Sequence, residues 1–242
     1  MGKKNFHTNI MLDLECAAIN VYNPAIIEIA AIFFDPHTGE ELDYFTTPVN
    51  LESSEKHGLV VQKDTVEIWL PKNIPETLQI SKTTSITLPE ALQKFSDFIA
   101  NSHKATNKEL MDRFCHEDSQ VMIWGNGSAS DNVWIDSAYT ACNMTRPWKH
   151  YNNTCVRTFV KQCAFMTGRD FSREIGRRGA HHVALEDCKH QILYLVKARN
   201  HLMPRPQPVK RQLPTPEFSF SGKEGDNDFK NPAAKRVNHE RE

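Results

Sequence analysis

The feature that most constrains the fold of this chain is a nine-residue apolar run, IIEIAAIFF, at residues 26–34. A run of this length with a single charged residue suits a central strand of a sheet. Residues 9–15 precede it as a strand in which apolar and polar side chains alternate. Residues 42–49 follow it after a turn at 35–39 that contains proline and glycine. The chain is therefore predicted to open with three strands, the last two antiparallel.

The remaining sequence favours helices around one further strand. Residues 87–101 carry apolar side chains at helical spacing. Residues 64–70 resemble a short helix with Asp64 as its N-cap and Pro71 as its end. The other predictions, in chain order, are a polar loop at 102–119, a buried strand at 121–124, helices at about 131–142 and 154–166, a loop or lid at 167–181, and a helix at 183–201.

Length and composition fit one α/β domain at residues 1–202 followed by a tail at 203–242. Of the 242 residues, 39% are hydrophobic and 24% are charged, which is enough to bury a core. Prolines crowd residues 204–216 and few apolar residues follow them, so the tail is predicted to be disordered. The formal net charge of -1 means that any nucleic-acid surface has to be a local patch.

Cysteine usage and hydropathy indicate the compartment. Six cysteines occur singly, without a CxxC pair, as is typical of free thiols in a reducing compartment. No stretch is apolar and long enough for a signal peptide or a membrane span. We therefore expect a soluble cytoplasmic protein with no membrane partner. The segment PAAKRV at 232–237 is similar to a weak nuclear-import signal, so nuclear import stays open if the source is a eukaryote.

Three carboxylates lie on or just after predicted strands. Asp13 and Glu15 are two residues apart on the first strand, so both point to one face, roughly 6.5–7 Å apart along it. Both can then converge on one Mg²⁺ or Mn²⁺ ion, which prefer oxygen ligands. For a lone DxE, the polar face of a half-exposed strand is the better explanation. Asp131 follows a buried strand and a glycine-rich turn, where it can line the mouth of a site or cap a helix.

His182 and Asp187 are five residues apart, which is about 140° of rotation on a helix, so they do not share one face. We expect His182 on the loop before the last helix and Asp187 in the early turns of that helix. Asp187 flanks the apolar stripe, where a lone buried carboxylate is costly and a metal ion would remove that cost. A solvated aspartate at the edge of the stripe is the alternative.

Taken together and in this order, the motifs resemble the DEDD superfamily of 3′–5′ exonucleases, in the subgroup with a histidine five residues before the last aspartate (DEDDh). The motifs are MLDLE with IIEIAAIFFDPHTGE, then WGNGSASDN, then HHVALEDCKHQ. With TVEIWL and RPWKHYNNTCVRT between them, the likeness covers about residues 8–200. It is greatest to the exonuclease VIII-like branch, which includes phage exodeoxyribonucleases and bacterial exoribonucleases. The chain departs from the pattern at Ser130, where an aromatic residue is common, and after Glu15, where glycine and threonine are expected.

The resemblance implies a ribonuclease-H-like α/β fold, with a mixed five-stranded sheet in the order 3-2-1-4-5 flanked by helices. It implies that Asp13, Glu15 and Asp187 ligate one Mg²⁺ or Mn²⁺ ion, while Asp13 bridges to a second ion supported by Asp131. His182 would accept a proton, since imidazole titrates near neutral pH. The reaction would be the 3′–5′ hydrolysis of single-stranded RNA or DNA to nucleoside 5′-monophosphates.

Side chains outside the carboxylate set suggest how a strand would be held. We hypothesise that four arginines just before the third motif line the mouth of a substrate channel, although a solvated charged loop is nearly as good an explanation. They are Arg169, Arg173, Arg177 and Arg178. Trp69 is the tryptophan favoured for a site role. Trp124 is expected in the core, Arg157 is expected to be structural, and His181 competes with His182 for the role of base.

Three questions stay open at the level of sequence. The choice between RNA and DNA depends on contacts near the 2′-hydroxyl, which one sequence does not place. The alternative function is a single-strand nucleic-acid-binding protein that has lost catalysis on the same fold. Members of the family often form homodimers, and nothing in the sequence decides whether this chain does.

Overall fold

The structure is a computed structural model that describes residues 8–107, 121–127, 129–177 and 182–203. These residues form a five-stranded mixed sheet in the order β3-β2-β1-β4-β5. Its strands are β1 (Thr8–Cys16), β2 (Ile26–Phe34), β3 (Glu41–Pro48), β4 (Val121–Gly125) and β5 (Asn153–Cys155). Strand β1 pairs antiparallel with β2 and parallel with β4, while β2–β3 is antiparallel and β4–β5 parallel. The strand order implied by the family resemblance is confirmed.

The two central strands are buried on both faces, as the apolar run at 26–34 predicts. Leu12 and Ile29 belong to the core on one face of the sheet, and Met11 and Ile32 to the core on the other. Asp13 and Glu15 share the face of Met11, because side chains two residues apart on a strand point the same way. Asp13 and Glu15 therefore lie on the face of the sheet that carries the second core.

Helices cover both faces of the sheet. They are α1 (Leu51–Lys56), α2 (Leu70–Asn73), α3 (Pro75–Thr83), α4 (Leu88–Asn107), α5 (Asp131–Ala141), α6 (Val156–Thr167), α7 (Phe171–Glu174) and α8 (Ala184–Leu202). Helices α4 and α5 contribute to the first core, and α6, α7 and α8 to the second. Helix α8 contacts both β1 and β2, which places the third motif above the carboxylates of the first.

The predicted helix at 64–70 is in fact a π-helical turn, Thr65–Trp69, that runs directly into α2. Asp64 makes no side-chain capping bond, so its prediction as an N-cap is wrong. Pro71 does not end the helix. It lies in the first turn of α2, which continues to Asn73.

Other boundaries also move. Helix α4 continues to Asn107, so the polar segment predicted as a loop from residue 102 begins as helix. The helix predicted at 154–166 begins two residues later, because residues 154–155 belong to β5. This strand has only three residues, which are too few to show strand periodicity in a sequence. The segment predicted as a loop or lid contains the short helix α7, which begins after the N-cap Asp170. Residues 108–119 lie outside the described residues.

Apart from Met203, the tail predicted at 203–242 lies outside the described residues, and so does the PAAKRV segment. Within the described part, no helix is long and apolar enough to cross a membrane. Five of the six cysteines are described, and all five are free thiols, as predicted. Three of these are buried and two are half-buried: Cys16, Cys163 and Cys188, then Cys142 and Cys155.

Candidate active site

One cavity of about 1020 Å³ collects the five residues that the sequence motifs single out. They come from the end of β1, the start of α5, and the region around the start of α8: Asp13, Glu15, Asp131, His182 and Asp187. Three segments far apart in the chain therefore meet in one cavity beside the parallel strands β1 and β4.

Asp131 is held at the start of α5 by two backbone donors, one on β1 and one just after β4. Its Oδ1 accepts a 3.3 Å hydrogen bond from the amide of Leu14, and its Oδ2 accepts a 3.0 Å bond from the amide of Asn126. Burial raises the pKa of Asp131, and these backbone donors oppose the rise. Asp131 is the first residue of α5 and not its cap, so the capping alternative does not hold.

Gly125 allows this close approach. A side chain at residue 125 would overlap the amide group of Asn132 and crowd Asp131. Glycine is thus needed where β4 turns toward α5, as the glycine-rich turn in the sequence suggests.

Asp13 faces the same cavity from the middle of the sheet. Its Oδ1 accepts a 2.7 Å hydrogen bond from Nε2 of Gln191, a residue of α8. Burial is the largest cause that raises the pKa of Asp13, followed by repulsion from Asp131, Glu15 and Asp187. The hydrogen bond from Gln191 lowers it in part.

Glu15 is only 7% exposed and lies opposite Glu28 in the β1–β2 register. Burial raises the pKa of Glu15 to about 8, and repulsion from Asp187, Glu28 and Asp131 adds to the effect. Burial also raises the pKa of Glu28, whose Oε1 accepts a 3.2 Å hydrogen bond from the Thr46 hydroxyl. The sheet therefore concentrates negative charge where water is largely excluded.

The two residues of the third motif lie where their spacing in the sequence predicts. His182 lies before α8 with a left-handed φ of 60°, and Asp187 lies within the helix. The ring of His182 meets the ring of Trp69 edge-on, with centroids 4.9 Å apart. Asp187 forms an ion pair with Arg177. His182 therefore sits on a turn outside the helix, against an aromatic wall.

The donor set fits a divalent metal ion. Glu15, His182 and Asp187 offer ligand atoms that all lie within 4.8 Å of one another. Carboxylate oxygens are the ligands that Mg²⁺ and Mn²⁺ prefer, and a cation would offset the burial and repulsion that raise the pKa values of Asp13 and Glu15. His182 therefore lies close enough to Glu15 and Asp187 to bind the same metal ion. Its expected role as a proton acceptor did not require this position.

The other predicted residues are placed unevenly. Trp69 reaches the site through its contact with His182. Arg177 lines the cavity but is paired with Asp187, and Arg169 pairs with Glu174 away from the cavity. Arg173 pairs with Asp170. Arg178 and His181 lie outside the described residues.

Sequence reasoning missed several residues that line the cavity. They are Asn126, Trp134, Arg157, Lys161, Gln191 and Tyr194. Gln191 and Tyr194 follow Asp187 by four and seven residues on α8, a helical spacing that the sequence displays. Arg157, which the sequence suggests to be mainly structural, is exposed in the cavity wall. Trp124 is partly buried against the second core and donates to Oδ1 of Asn9.

Comparison with known protein families identifies the family to which the chain belongs. The family model of the Rv2179c-like 3′–5′ exoribonuclease domain matches residues 8–198, which include all three motifs. The chain belongs to this family. It is accordingly a 3′–5′ exonuclease.

Solved structures show the same fold at low sequence identity. A full-length 3′-exonuclease superposes with a TM-score of 0.55 at 13% identity, covering 82% of this chain and 84% of that one. The nuclease domain of 3′hExo, described as a DEDDh family member bound to rAMP, gives 0.56 at 14% identity, covering 83% and 95%. Cell-death related nuclease 4 gives 0.51 at 14% identity, covering 81% and 65%. A search of curated proteins finds no match.

Proposed function

We propose that this Rv2179c-like domain uses divalent metal ions to remove nucleoside 5′-monophosphates from the 3′ end of single-stranded RNA. The observation that carries the proposal is the convergence of Asp13, Glu15, Asp131 and Asp187 on one cavity. Burial raises the pKa values of the first three, and repulsion between carboxylates adds to the rise for Asp13 and Glu15. A bound cation would offset the cost of burying these carboxylates together. The same cation would activate a phosphodiester for hydrolysis.

The four carboxylates would hold two Mg²⁺ or Mn²⁺ ions. Asp13 is central among them, because Asp131, Glu15 and Asp187 all contribute to the rise in its pKa. When bound, the ions supply an activated water and offset the charge that develops on the phosphate. Asp187 exchanges its ion pair with Arg177 for this role, and Gln191 keeps the Asp13 carboxylate oriented.

His182 is the proposed proton acceptor. The oxygen of water bonds to phosphorus, and His182 takes a proton of the water. The bond from phosphorus to the 3′-oxygen of the preceding nucleotide breaks, and that oxygen takes a proton from solvent to become the new 3′-hydroxyl. The left-handed turn places the ring outside α8, and the edge of the Trp69 ring limits its movement. A side chain that must approach and leave a water molecule suits this position better than one fixed on a helix face.

The mouth of the cavity favours unpaired bases. Ile19 and Tyr22 are 56% and 77% exposed, and both line the cavity together with Trp134. The Trp134 indole donates a 2.9 Å hydrogen bond to the carbonyl of Val21, which holds this loop against α5. Exposed aromatic and apolar side chains next to a phosphodiester site stack on bases that are free of a duplex. The description of the family as exoribonucleases favours RNA as the substrate.

Matched oligonucleotides test this proposal. The wild-type protein is incubated with 5′-labelled single-stranded RNA, the same sequence as DNA, and the RNA in duplex form, each with Mg²⁺, Mn²⁺ or chelator. We expect stepwise shortening of single-stranded RNA and release of nucleoside 5′-monophosphates only with metal. Equal or faster shortening of DNA would overturn the choice of RNA, and release of 3′-monophosphates would overturn the chemistry.

A further inference from the structure

A second cavity of about 510 Å³ adjoins the catalytic one along α6. Four residues line both cavities: Asn126, Arg157, Lys161 and Tyr194. The Tyr194 hydroxyl donates a 3.0 Å hydrogen bond to Oδ1 of Asn126, and the backbone N–H of Asn126 donates to Oδ2 of Asp131. The wall between the cavities is therefore one hydrogen-bonded step from a catalytic carboxylate.

Two cations project from one face of α6 into this wall. Arg157 and Lys161 are four residues apart, so their side chains are neighbours on the helix surface. Both are exposed, and within the described part of the chain neither takes part in an ion pair. The arginines before the third motif differ, because Arg169, Arg173 and Arg177 each have a carboxylate partner. Two uncompensated cations beside a cavity attract an anion.

We propose that Arg157 and Lys161 bind a phosphate of the substrate strand on the 5′ side of the scissile bond. This inference rests on the proposed function. A 3′–5′ exonuclease cuts the last phosphodiester of the strand, so every phosphate other than the scissile one lies on the 5′ side. The scissile phosphate belongs among the carboxylates, and their negative field disfavours a second phosphate there unless it is neutralised. Arg157 and Lys161 supply that neutralisation next to the site.

The competing assignment is that the two cations bind the scissile phosphate itself. A pair of substrates separates the two assignments. An unphosphorylated diribonucleotide has only the scissile phosphate, whereas the same diribonucleotide with a 5′-phosphate adds one upstream phosphate and no base. The ratio of their kcat/KM values therefore measures the recognition of the upstream phosphate alone.

The experiment compares the wild type with Arg157→Gln, Lys161→Gln and the double variant. For the wild type we expect the 5′-phosphorylated substrate to be preferred about ten-fold or more, since charge-assisted hydrogen bonds contribute at least about that factor. The double variant should bring the ratio close to one. Lys82→Gln is the matched control, because Lys82 is exposed on α3 and lines neither cavity, and it should keep the wild-type ratio.

Two results would overturn the inference: a wild-type ratio near one, or an unchanged ratio in the double variant, which includes an equal fall of kcat/KM on both substrates. The slope of log kcat/KM against log salt for a longer single strand gives a second measure. It should become shallower by about 0.7 for each phosphate that the variant no longer neutralises. An equilibrium titration of the metal-free protein with the two diribonucleotides gives the same comparison without turnover. Failure of catalysis and failure of phosphate binding are therefore distinguishable.

Discussion

Nε2 of Gln191 lies 2.7 Å from Oδ1 of Asp13 and donates a hydrogen bond that joins the last helix to the first strand. Gln191 is 3% exposed, so water does not compete with this bond. Asp187 lies one helical turn earlier on the same helix. Helix α8 thus brings one carboxylate to the site and orients another, which explains why the first and third motifs function as a unit.

Replacing Gln191 tests this link. Because a residue that orients a metal ligand typically contributes 10–100-fold to metal affinity or activity, we expect Gln191→Leu to lower kcat and to raise the Mg²⁺ concentration for half-maximal activity by about that factor. Gln79→Leu, on the exposed side of α3, is the control. A Gln191→Leu enzyme with the wild-type dependence on Mg²⁺ would show that the bond does not position Asp13.

The raised pKa of Glu15 predicts how stability depends on pH. The unfolded chain ionises Glu15 near its ordinary value of 4.5, while the folded chain keeps it protonated up to about 8. The folded state therefore holds the extra proton between these pH values. The stabilisation is complete below about pH 4.5 and is lost as the pH rises through about 8.

In chelator, the free energy of unfolding should accordingly fall by up to about 1.4 kcal/mol per pH unit between pH 5 and 8 as a result of Glu15. Urea unfolding at a series of pH values measures this slope. Glu15→Gln should flatten it, and saturating Mg²⁺ should reduce it because the metal stabilises the ionised form. A slope that is the same in wild type and Glu15→Gln would contradict the effect of Glu15.

The sequence predicted much of the fold because β1, β2 and α8 show their periodicity plainly. The apolar run at 26–34 matches β2 residue for residue. The five-residue step from His182 to Asp187 correctly placed the histidine before α8. Strand β5 is too short to show a pattern, and the π-helical turn at Thr65–Trp69 has no periodic signature that distinguishes it from an α-helix.

Contacts between distant segments were harder to predict. The pairing of Arg177 with Asp187 and the exposure of Arg157 depend on how α6, α7 and α8 pack, which spacing alone does not determine. Charge composition therefore indicated the four arginines before the third motif, whereas the uncompensated cations lie on α6. The contact between Trp69 and His182 depends in the same way on tertiary packing.

His182 tests the assignment of the base. If His182 accepts the proton, His182→Gln should lower kcat by about 10²–10⁴-fold and leave the affinity for Mg²⁺ close to that of the wild type. If its nitrogen is instead a metal ligand, as its distance from Glu15 and Asp187 allows, Mg²⁺ affinity measured by calorimetry should fall with kcat.

Trp69→Phe, which keeps an aromatic ring beside the histidine, should lose less activity than Trp69→Ala.

The ion pair of Arg177 with Asp187 predicts opposite effects on the metal-free and metal-bound protein. The two side chains are 20% and 16% exposed. Removing the cation leaves a partly buried carboxylate unpaired, so Arg177→Gln should lower the free energy of unfolding by about 1–3 kcal/mol in chelator. Saturating Mg²⁺ should restore most of this loss, since the metal takes over Asp187. An equal loss with and without Mg²⁺ would mean that Arg177 and the metal do not share Asp187.

The most direct test of the account is a comparison of wild type and Asp13→Asn on 5′-labelled single-stranded RNA, with Mg²⁺ and with chelator. The variant removes one charge from the centre of the carboxylate set and keeps the shape of the side chain and an oxygen that can accept from Gln191. We predict metal-dependent shortening from the 3′ end by the wild type and a loss of at least about 10²-fold in the variant, with no loss of stability in chelator. Shortening that persists in chelator, or a variant as active as the wild type, would contradict the metal-dependent site.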